Sequence, residues 1–284
     1  MKIITKVEEM QKISEMHRQN GEKIVCVPTM GYFHEGHLNL MRIAKGYGDI
    51  VVVTLFVNPT QFGPNEDFER YPRNFQRDME LASSVGVDYL FAPTVEEMYP
   101  DGYATKVVVT KYTDKFEGVK RPGHFDGVAT VVTKLFNATK PNVAIFGQKD
   151  YQQTLVVKQL VKDLLFDIDI IVAPIVREPD GLAMSSRNVY LSPEERTVAN
   201  EIYNALNKGV EAIRNGEKRR KHINSIVIEH LRKFNQFYID YVSAVNAENF
   251  EEPEVFRSGE KVVILVAVYL GKTRLIDNML ATVP

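Results

Sequence analysis

Short apolar segments alternate with amphipathic helical patterns through residues 24–172, and this alternation constrains the fold more than any other feature of the sequence. The segments that predict strands lie at 24–27, 50–57, 89–91, 142–146 and 168–172. The longest of them, 50–57, is a continuous β-branched and apolar run, as in parallel strands that are covered on both faces. The sequence therefore predicts an α/β fold, a Rossmann-like doubly wound parallel sheet. One more strand is predicted at 106–110, outside the parallel order.

The pattern changes beyond residue 176. Ser192-Pro193-Glu194-Glu195 supplies an N-cap, a proline at the first helical position and acidic residues in the first turn, which predicts a helix start. Two helices are predicted to follow, up to about Phe234, and then strands at 237–244 and 262–270. We therefore expect a Rossmann-like domain at 1–176 and a smaller C-terminal α+β domain at 177–284.

Composition is that of a globular protein, because 44% of the 284 residues are hydrophobic and 25% are charged. No apolar run approaches the roughly 20 residues of a membrane span, and the N-terminus lacks the apolar region of a signal peptide. A net charge of −2 gives no general attraction to nucleic acid, and the basic run at 218–222 is interpreted as a solvated helix end. Cys26 cannot form an internal disulfide and is interpreted as a core residue, with a reactive thiol as the alternative. We expect a cytoplasmic protein that acts on neither membranes nor nucleic acid.

The segment 28–37, Pro-Thr-Met-Gly-Tyr-Phe-His-Glu-Gly-His, joins an apolar run to a helical pattern. Gly31 and Gly36 permit a sharp turn or a close approach to a ligand, and the amides of the helix start attract anions. His34 and His37 are three residues apart, so both imidazoles can face one small volume. Phosphate binding is the favoured interpretation, although neither common nucleotide fingerprint is present. A metal site and two loop histidines without a role are the alternatives.

Three other segments carry side chains that suit a polar ligand. Asn58 and Gln61 follow a predicted strand and can donate and accept hydrogen bonds, unless they only cap the turn. Lys149, at another strand-to-helix turn, can stabilise negative charge in a transition state, or it can simply pair with Asp150. Arg121 can make a two-point contact with a phosphate or a carboxylate.

Five motifs, in the same order along the chain, resemble those of the pantothenate synthetase family. They are Pro-Thr-Met-Gly-x-x-His-x-Gly-His at 28–37, Val-Asn-Pro-x-Gln-Phe at 57–62, Arg-Pro-x-His-Phe-x-Gly-Val at 121–128, Phe-Gly-Gln-Lys-Asp-Tyr-Gln-Gln at 146–153, and Met-Ser-Ser-Arg at 184–187. The shorter His-x-Gly-His signature is similar to that of the wider adenylate-forming and nucleotidyl-transferring superfamily. Met184 to Arg187 is similar to the second signature of that superfamily, a mobile loop that closes over the triphosphate.

The resemblance implies a ligase that uses ATP, with Mg2+ arriving on the nucleotide, to join pantoate to β-alanine as a homodimer. Catalytic roles are implied for His34, His37, Lys149, Ser186 and Arg187. ATP contacts are implied for Met30, Gly31, Tyr32, Phe33, His34, Glu35, Gly36, His37, Gly147, Gln148, Lys149, Asp150, Val176, Met184, Ser185, Ser186 and Arg187. Gln61 is expected to bind pantoate and β-alanine, Gln153 to bind pantoate, and Arg121 and Asn58 to clamp a substrate or phosphate. For Asp78 the resemblance implies a place near the ATP-bound magnesium ion, whereas the residues alone favour a surface carboxylate on a helix.

The chemistry implied by the resemblance needs no nucleophile from the protein. A carboxylate is a poor electrophile, and transfer of AMP onto pantoate would activate it for attack by the amine of β-alanine. The sequence lacks a Gly-x-Ser-x-Gly motif, in agreement with this scheme. Three other functions stay open: nucleotide transfer to a phosphate acceptor, tRNA charging, which the net charge disfavours, and nucleotide sensing without turnover.

Overall fold

The computed structural model of the chain describes residues 1–64 and 66–284. It contains two compact units, Met1–Pro174 and Ile175–Pro284. The division lies two residues before the position that we expect from the sequence pattern. Within the described residues, no helix combines the length and the apolar character needed to cross a bilayer.

The first unit is built on a six-stranded parallel sheet, which confirms the predicted α/β class. Its strands are β1 Lys2–Ile4, β2 Ile24–Thr29, β3 Ile50–Leu55, β4 Tyr89–Phe91, β5 Val143–Gly147 and β6 Asp169–Ala173. Their order across the sheet is β1-β4-β3-β2-β5-β6, and every neighbouring pair is parallel. Strand β1 is not predicted from the sequence, because three residues are too few to show a pattern.

Helices cover both faces of this sheet. They are α1 Val7–Gln19, α2 Glu35–Ala44, α3 Phe75–Ser84, α4 Val95–Met98, α5 Glu117–Lys120, α6 His124–Thr139 and α7 Tyr151–Asp163. Ile24 and Cys26 of β2 join a core layer with α1, α6 and α7, whereas Val25 and Val27 join a second layer with α2 and α3. Successive residues of a strand point to opposite faces, and for this reason the run is apolar at every position.

Cys26 is fully buried in the first of these layers. Burial raises the pKa of its thiol to about 12, against a weaker opposing effect of a hydrogen bond with Thr139. A thiol in this state is inert, since the thiolate is the reactive form. The interpretation of Cys26 as a core residue is therefore confirmed.

The strand predicted at 106–110 is wrong. This segment forms no strand pairing; instead, the N–H of Val107 donates to Oγ1 of Thr130 in α6 at 3.0 Å. Its β-branched residues favour an extended conformation, but a strand also requires a neighbour for its backbone. No such neighbour is found for it among the described residues. The side chain of Val108 is exposed.

The second unit combines three helices with a three-stranded antiparallel sheet. They are α8 Pro193–Ala199, α9 Glu201–Arg214, α10 Arg220–Leu231, β7 Phe237–Asn246, β8 Lys261–Leu270 and β9 Thr273–Thr282, with the strand order β7-β8-β9. The predicted helix start is confirmed, because Ser192 and Glu195 form a reciprocal capping box. Two predictions need correction: the first expected helix is divided at Asn200, and β9 is an additional strand. The tight turn at Gly271 and Lys272, between β8 and β9, is the signal for that hairpin.

Candidate active site

Strand β2 lies at the centre of the first sheet, where the direction of winding changes. Beside it, β3 lies on one side and β5 on the other. In open α/β sheets of this kind, ligands bind at the carboxyl ends of the strands at such a switch point. The segments that follow β2 and β5 are 30–37 and 148–150, so the fold brings together two of the segments predicted to bind ATP.

The two histidines of the signature cap helix α2. His34 is the N-cap residue, and its Nδ1 accepts a hydrogen bond from the N–H of Gly36 at 3.1 Å. In return, the N–H of His34 donates to Nδ1 of His37 at 3.3 Å. The ring centroids are 4.1 Å apart, which confirms that both imidazoles share one small volume.

This capping arrangement determines where each ring carries its proton. A neutral imidazole whose Nδ1 accepts an N–H must be protonated at Nε2. Burial holds the pKa of His37 well below its ordinary value of 6.5, and electrostatic interactions with His34 and Lys149 lower it further. At neutral pH, His37 is therefore an uncharged donor at Nε2, and the cap gives His34 the same tautomer.

Asp78 fixes the turn that precedes these histidines. Its side chain is buried, and its two carboxylate oxygens accept the N–H groups of Tyr32 at 2.7 Å and Phe33 at 2.6 Å. Gly31 has a φ of +82°, and a Cβ there would lie only 3.0 Å from Oδ2 of Asp78, so this turn requires glycine. Burial raises the pKa of Asp78, and the two backbone hydrogen bonds oppose that shift.

The favoured interpretation of Asp78 as a surface carboxylate is therefore wrong, because its side chain is buried. A magnesium contact stays a prediction, and each carboxylate oxygen already accepts one backbone N–H. Among the described residues, no group of three or more His, Cys, Asp or Glu side chains is placed to hold a metal ion. Octahedral Mg2+ is commonly held by phosphates, water and one or two carboxylates.

The side chain of Gln61 contacts the signature segment through Met30 and is also hydrogen-bonded to Asn58. Its Nε2 donates to Sδ of Met30 at 2.9 Å, and its Oε1 accepts from Nδ2 of Asn58 at 3.2 Å. Asn58 also donates to the carbonyl of Gly127 and accepts from the hydroxyl of Tyr99 at 2.8 Å. The side chain of Asn58 is buried and engaged within the protein, so it shapes the turn that presents Gln61.

Arg121 does make a planar two-point contact, but with a carboxylate of the protein itself. Its Nε and Nη2 donate to the two oxygens of Glu66 at 2.7 and 2.8 Å. The guanidinium also contacts the ring of His124 and the backbone carbonyl of Gln61. The predicted contact with a substrate or phosphate would have to compete with Glu66.

The third predicted segment follows β5. Gln148–Asp150 form a single 3-10 turn before α7, and the Nζ of Lys149 lies 4.0 Å from Oδ1 of Asp150. This ion pair is the alternative considered from the sequence, yet the charge of Lys149 also acts on the His37 ring. Gln153 is half-buried in the first turn of α7, whereas the adjacent Gln152 is buried and holds backbone groups of the 112–117 loop.

The remaining predicted residues lie in one loop of the second unit. The N–H of Met184 donates to the carbonyl of Val176 at 3.0 Å, so this loop brings these two predicted ATP residues together. Ser185 caps a 3-10 turn, Ser186–Tyr190, through a hydrogen bond from the N–H of Arg187. Nδ2 of Asn188 ties this turn back to the carbonyl of Ala183. The loop is an ordered turn within its own unit.

Ion pairs anchor the same loop. Arg177 donates to both carboxylate oxygens of Asp277 in β9, at 2.6 and 3.0 Å, and its guanidinium lies 4.5 Å from the centroid of the Tyr203 ring. Arg196 of α8 pairs with Glu178 and Asp180. We refer to residues 176–188, held in this way, as the hinge loop.

Four functional neighbours are missed by sequence reasoning: Asp78 as a support for the turn, Glu66, Tyr99 and His124. Their partners are 41 to 63 residues away along the chain, so no local spacing reports them. The only sequence signal is the motif at 121–128, where His124 lies beside Arg121.

Comparison with known proteins agrees with this geometry. The family model described as pantoate-beta-alanine ligase matches residues 2–280. This chain belongs to the pantoate–β-alanine ligase family. A pantothenate synthetase of Caldicellulosiruptor bescii is 53% identical over 279 residues, 98% of each chain.

Solved structures of the ligase family have the same fold. The pantothenate synthetase of Thermus thermophilus superposes with a TM-score of 0.92 at 45% identity and covers 98% of this chain and 99% of its own. A pantoate–β-alanine ligase of Francisella tularensis, complexed with β,γ-ATP and β-alanine, has a TM-score of 0.81 at 36% identity, with 99% and 97% of the two chains covered. The doubly wound sheet with a smaller α+β unit is thus the ligase fold.

Proposed function

We propose that this chain condenses (R)-pantoate with β-alanine to form pantothenate, using ATP and releasing AMP and pyrophosphate through a pantoyl-adenylate intermediate. Membership of the pantoate–β-alanine ligase family supports the overall reaction. The observation that carries the mechanism is the pair of capped imidazoles at the switch point of the sheet. Two neutral Nε2–H donors side by side suit the non-bridging oxygens of a phosphate.

In the first step, the pantoate carboxylate attacks the α-phosphorus of ATP, and the bond from that phosphorus to the pyrophosphate oxygen breaks. Charge builds up on the α-phosphate oxygens and on the leaving pyrophosphate. His34 and His37 donate to this charge, while the ammonium of Lys149 adds a positive charge nearby. Because these groups are held before the reaction, they need little reorganisation in the transition state.

In the second step, the amine of β-alanine attacks the acyl carbon of pantoyl adenylate, the bond to AMP breaks, and the amine loses its proton. No covalent intermediate with the protein forms. Gln61 binds pantoate and then β-alanine, and Gln153 binds pantoate. We expect Gly147 to contact the nucleotide beside this site, where the space around it is open because a Cβ would meet nothing within 4 Å. The glycine leaves room for a ligand to approach the backbone.

Further roles stay predictions. The contacts of Val176, Met184, Ser185, Ser186 and Arg187 with ATP, and the division into a substrate-binding domain at 1–176 and a lid at 177–284, follow from the family resemblance. Magnesium would arrive on the nucleotide, and we place the enzyme in the cytoplasm.

We also propose that the chain forms a homodimer through its first unit. The extended segment 106–110 supports this proposal. The side chain of its central residue, Val108, is exposed, and its backbone has no strand partner among the described residues. An extended β-branched segment without a strand neighbour favours pairing with another chain. Light scattering of the purified protein measures the molar mass, and a monomer at assay concentrations would contradict the dimer.

The deciding experiment supplies ATP and magnesium with pantoate and β-alanine, singly and together, and measures pyrophosphate and AMP. We expect stoichiometric pyrophosphate with pantoate alone, and catalytic AMP release only when β-alanine is present. Pyrophosphate release that does not depend on pantoate would move the acceptor to another compound. ATP binding without turnover would instead indicate a nucleotide sensor.

A further inference from the structure

Helix α6 packs its first turn directly against the backbone that carries Gln61. The carbonyl of Gly127 accepts a hydrogen bond from Asn58 at 3.1 Å. A Cβ on Gly127 would lie 2.4 Å from the carbonyl oxygen of Thr60 and 2.6 Å from Cα of Gln61. No side chain fits there, so the position of Gln61 depends on this end of α6.

His124 is the residue of α6 that holds Gln61 by a hydrogen bond. Its side chain is buried, and its Nδ1 lies 2.9 Å from the backbone oxygen of Gln61. A carbonyl only accepts, so Nδ1 must carry the proton, and Nε2 is then an acceptor in the neutral ring. Nη1 of Arg121, which only donates, lies 3.2 Å from that Nε2. The ring therefore has the tautomer opposite to that of the two signature histidines.

Arg121 is itself held in place. Its fork on Glu66 orients the guanidinium, and its Nη1 lies 3.9 Å from a carboxylate oxygen of Glu117. Burial and the charge of Arg121 lower the pKa of His124 to about 4, against weaker opposing effects. The ring is thus neutral at pH 7.

We propose that Glu66, Arg121 and His124 form a relay of positioning residues that fixes the backbone of Gln61 and so sets the affinity for the acid substrate. This inference rests on the proposed function, in which Gln61 binds pantoate and β-alanine. It assigns Arg121 a role through His124 instead of a contact with substrate. In the described contacts the three residues reach a predicted ATP residue, Met30, by way of the Gln61 side chain, so the main effect is expected at the pantoate site.

The test compares two replacements of His124. Asparagine places an amide N–H where Nδ1–H stands, whereas leucine has no donor. We expect His124→Leu to raise the KM for pantoate roughly tenfold, the value of one hydrogen bond of about 1.4 kcal/mol, with the KM for ATP nearly unchanged. His124→Asn should restore most of the pantoate affinity.

His17 provides a matched control, because it is equally buried at 8% exposure and is also hydrogen-bonded at both nitrogens, to Glu22 and Tyr89. His17→Leu should lower thermal stability without changing either KM. If His124→Leu does not fold, Arg121→Lys replaces it. That variant keeps the positive charge but loses the two-point contact with Glu66 that orients the guanidinium against the His124 ring. The KM for pantoate should therefore rise again.

Gln61→Ala separates this inference from the proposed function. If Gln61→Ala raises the KM for pantoate and His124→Leu does not, the relay is wrong and the function stands. If His124→Asn is no better than His124→Leu, the Nδ1 donor is not the determinant and the relay is also wrong. If Gln61→Ala leaves pantoate binding unchanged, the role of Gln61 in the proposed function fails.

Discussion

The signature turn of the first unit and the hinge loop of the second are held by different interactions. In the turn, backbone N–H groups donate to the Asp78 carboxylate and to the Nδ1 atoms of His34 and His37. In the hinge loop, guanidinium groups pair with carboxylates, as between Arg177 and Asp277. The turn is thus held by hydrogen bonds from its main chain to side chains, whereas the loop adds charge pairs to its own hydrogen bonds.

The difference bears on what each segment can offer a ligand. The N–H groups of His34 and Gly36 at the start of α2 are already bound by imidazoles. Each ring has its second nitrogen protonated in consequence, so the helix start presents side-chain Nε2–H donors in addition to any remaining amides. In the pair of Arg177 with Asp277, by contrast, both terminal nitrogens of the guanidinium donate to groups of the protein, so they serve to hold the loop.

The largest expected effect comes from removing a ring from the turn. His37→Ala should lower the rate of pyrophosphate formation by roughly 10² to 10³, the usual cost of one donor to a developing charge. His37→Gln keeps an amide N–H near Nε2 and should lose less. Single-turnover assays with ATP and pantoate measure both variants, and Lys149→Ala should be slow as well. A rate for His37→Ala within tenfold of the parent would contradict the role of this ring.

Removing a carboxylate from the hinge loop tests the other half of the comparison. Asp277→Ala leaves the mostly buried Arg177 without its partner, which should cost about 3 kcal/mol of stability in the second unit. Hydrogen exchange followed by mass spectrometry reports the two units separately. Peptides from 176–188 and β9 should lose protection, while those of the signature turn keep it. Equal losses in both units would contradict this local role.

The corresponding change in the turn is Asp78→Asn, which turns one acceptor into a donor that faces a backbone N–H. We expect a cost of about 2 kcal/mol, faster exchange of the Tyr32 and Phe33 amides, and a higher KM for ATP. Asp49 is a control, since its exposed carboxylate accepts the N–H of Lys23 at 2.8 Å away from the site. Asp49→Asn should change neither the exchange of the Tyr32 and Phe33 amides nor the KM for ATP. Rescue of Asp78→Asn by excess magnesium would instead indicate a metal ligand.

Acid should affect the first unit before the hinge loop. In the unfolded chain His124 takes up a proton near its ordinary pKa of 6.5. In the folded state the pKa is lowered to about 4, so the ring stays neutral until the pH falls to that value. Between these values the unfolded state binds more protons, so stability falls as the pH falls, by about 1 kcal/mol at pH 5.5. His37 acts in the same direction. In the hinge loop, the hydrogen bond from Arg196 lowers the pKa of Asp180, and this pair survives to lower pH.

Hydrogen exchange at a series of pH values measures this order of loss. Between pH 6.5 and 5, peptides of the first unit should lose protection first, and His124→Asn should reduce the slope because the buried imidazole is gone. Earlier loss in the hinge loop would reverse the comparison.

The sequence predicts what depends on local pattern. The central strands β2, β3 and β5, the helix start at Ser192 and the shared volume of His34 and His37 all follow from residues within a few positions of one another. These features are set by strand periodicity and by capping, which act over short distances in the chain.

What the sequence does not predict depends on distant partners. Asp78 is read as a surface residue because its partners, Tyr32 and Phe33, lie more than forty residues away. The segment 106–110 has strand composition but no neighbouring strand within the described residues. Arg121 can make a two-point contact with the phosphate or carboxylate of a ligand, and only the fold shows that its guanidinium is already hydrogen-bonded to Glu66. Composition indicates what a side chain can bind, whereas topology decides what it meets.

The smallest effect is expected for Arg196, and it separates exposed ion pairs from buried ones within the same loop. Its side chain is 34% exposed, against 18% for Arg177, and its partners Glu178 and Asp180 are also partly exposed. Water and salt screen such charges, so Arg196→Gln should cost less than about 1 kcal/mol, and added salt should reduce that cost. Thermal unfolding at low and high salt measures it. A large, salt-independent loss would show that the hinge loop depends on both arginines equally, and that the exposed pairs are as essential as the one with Asp277.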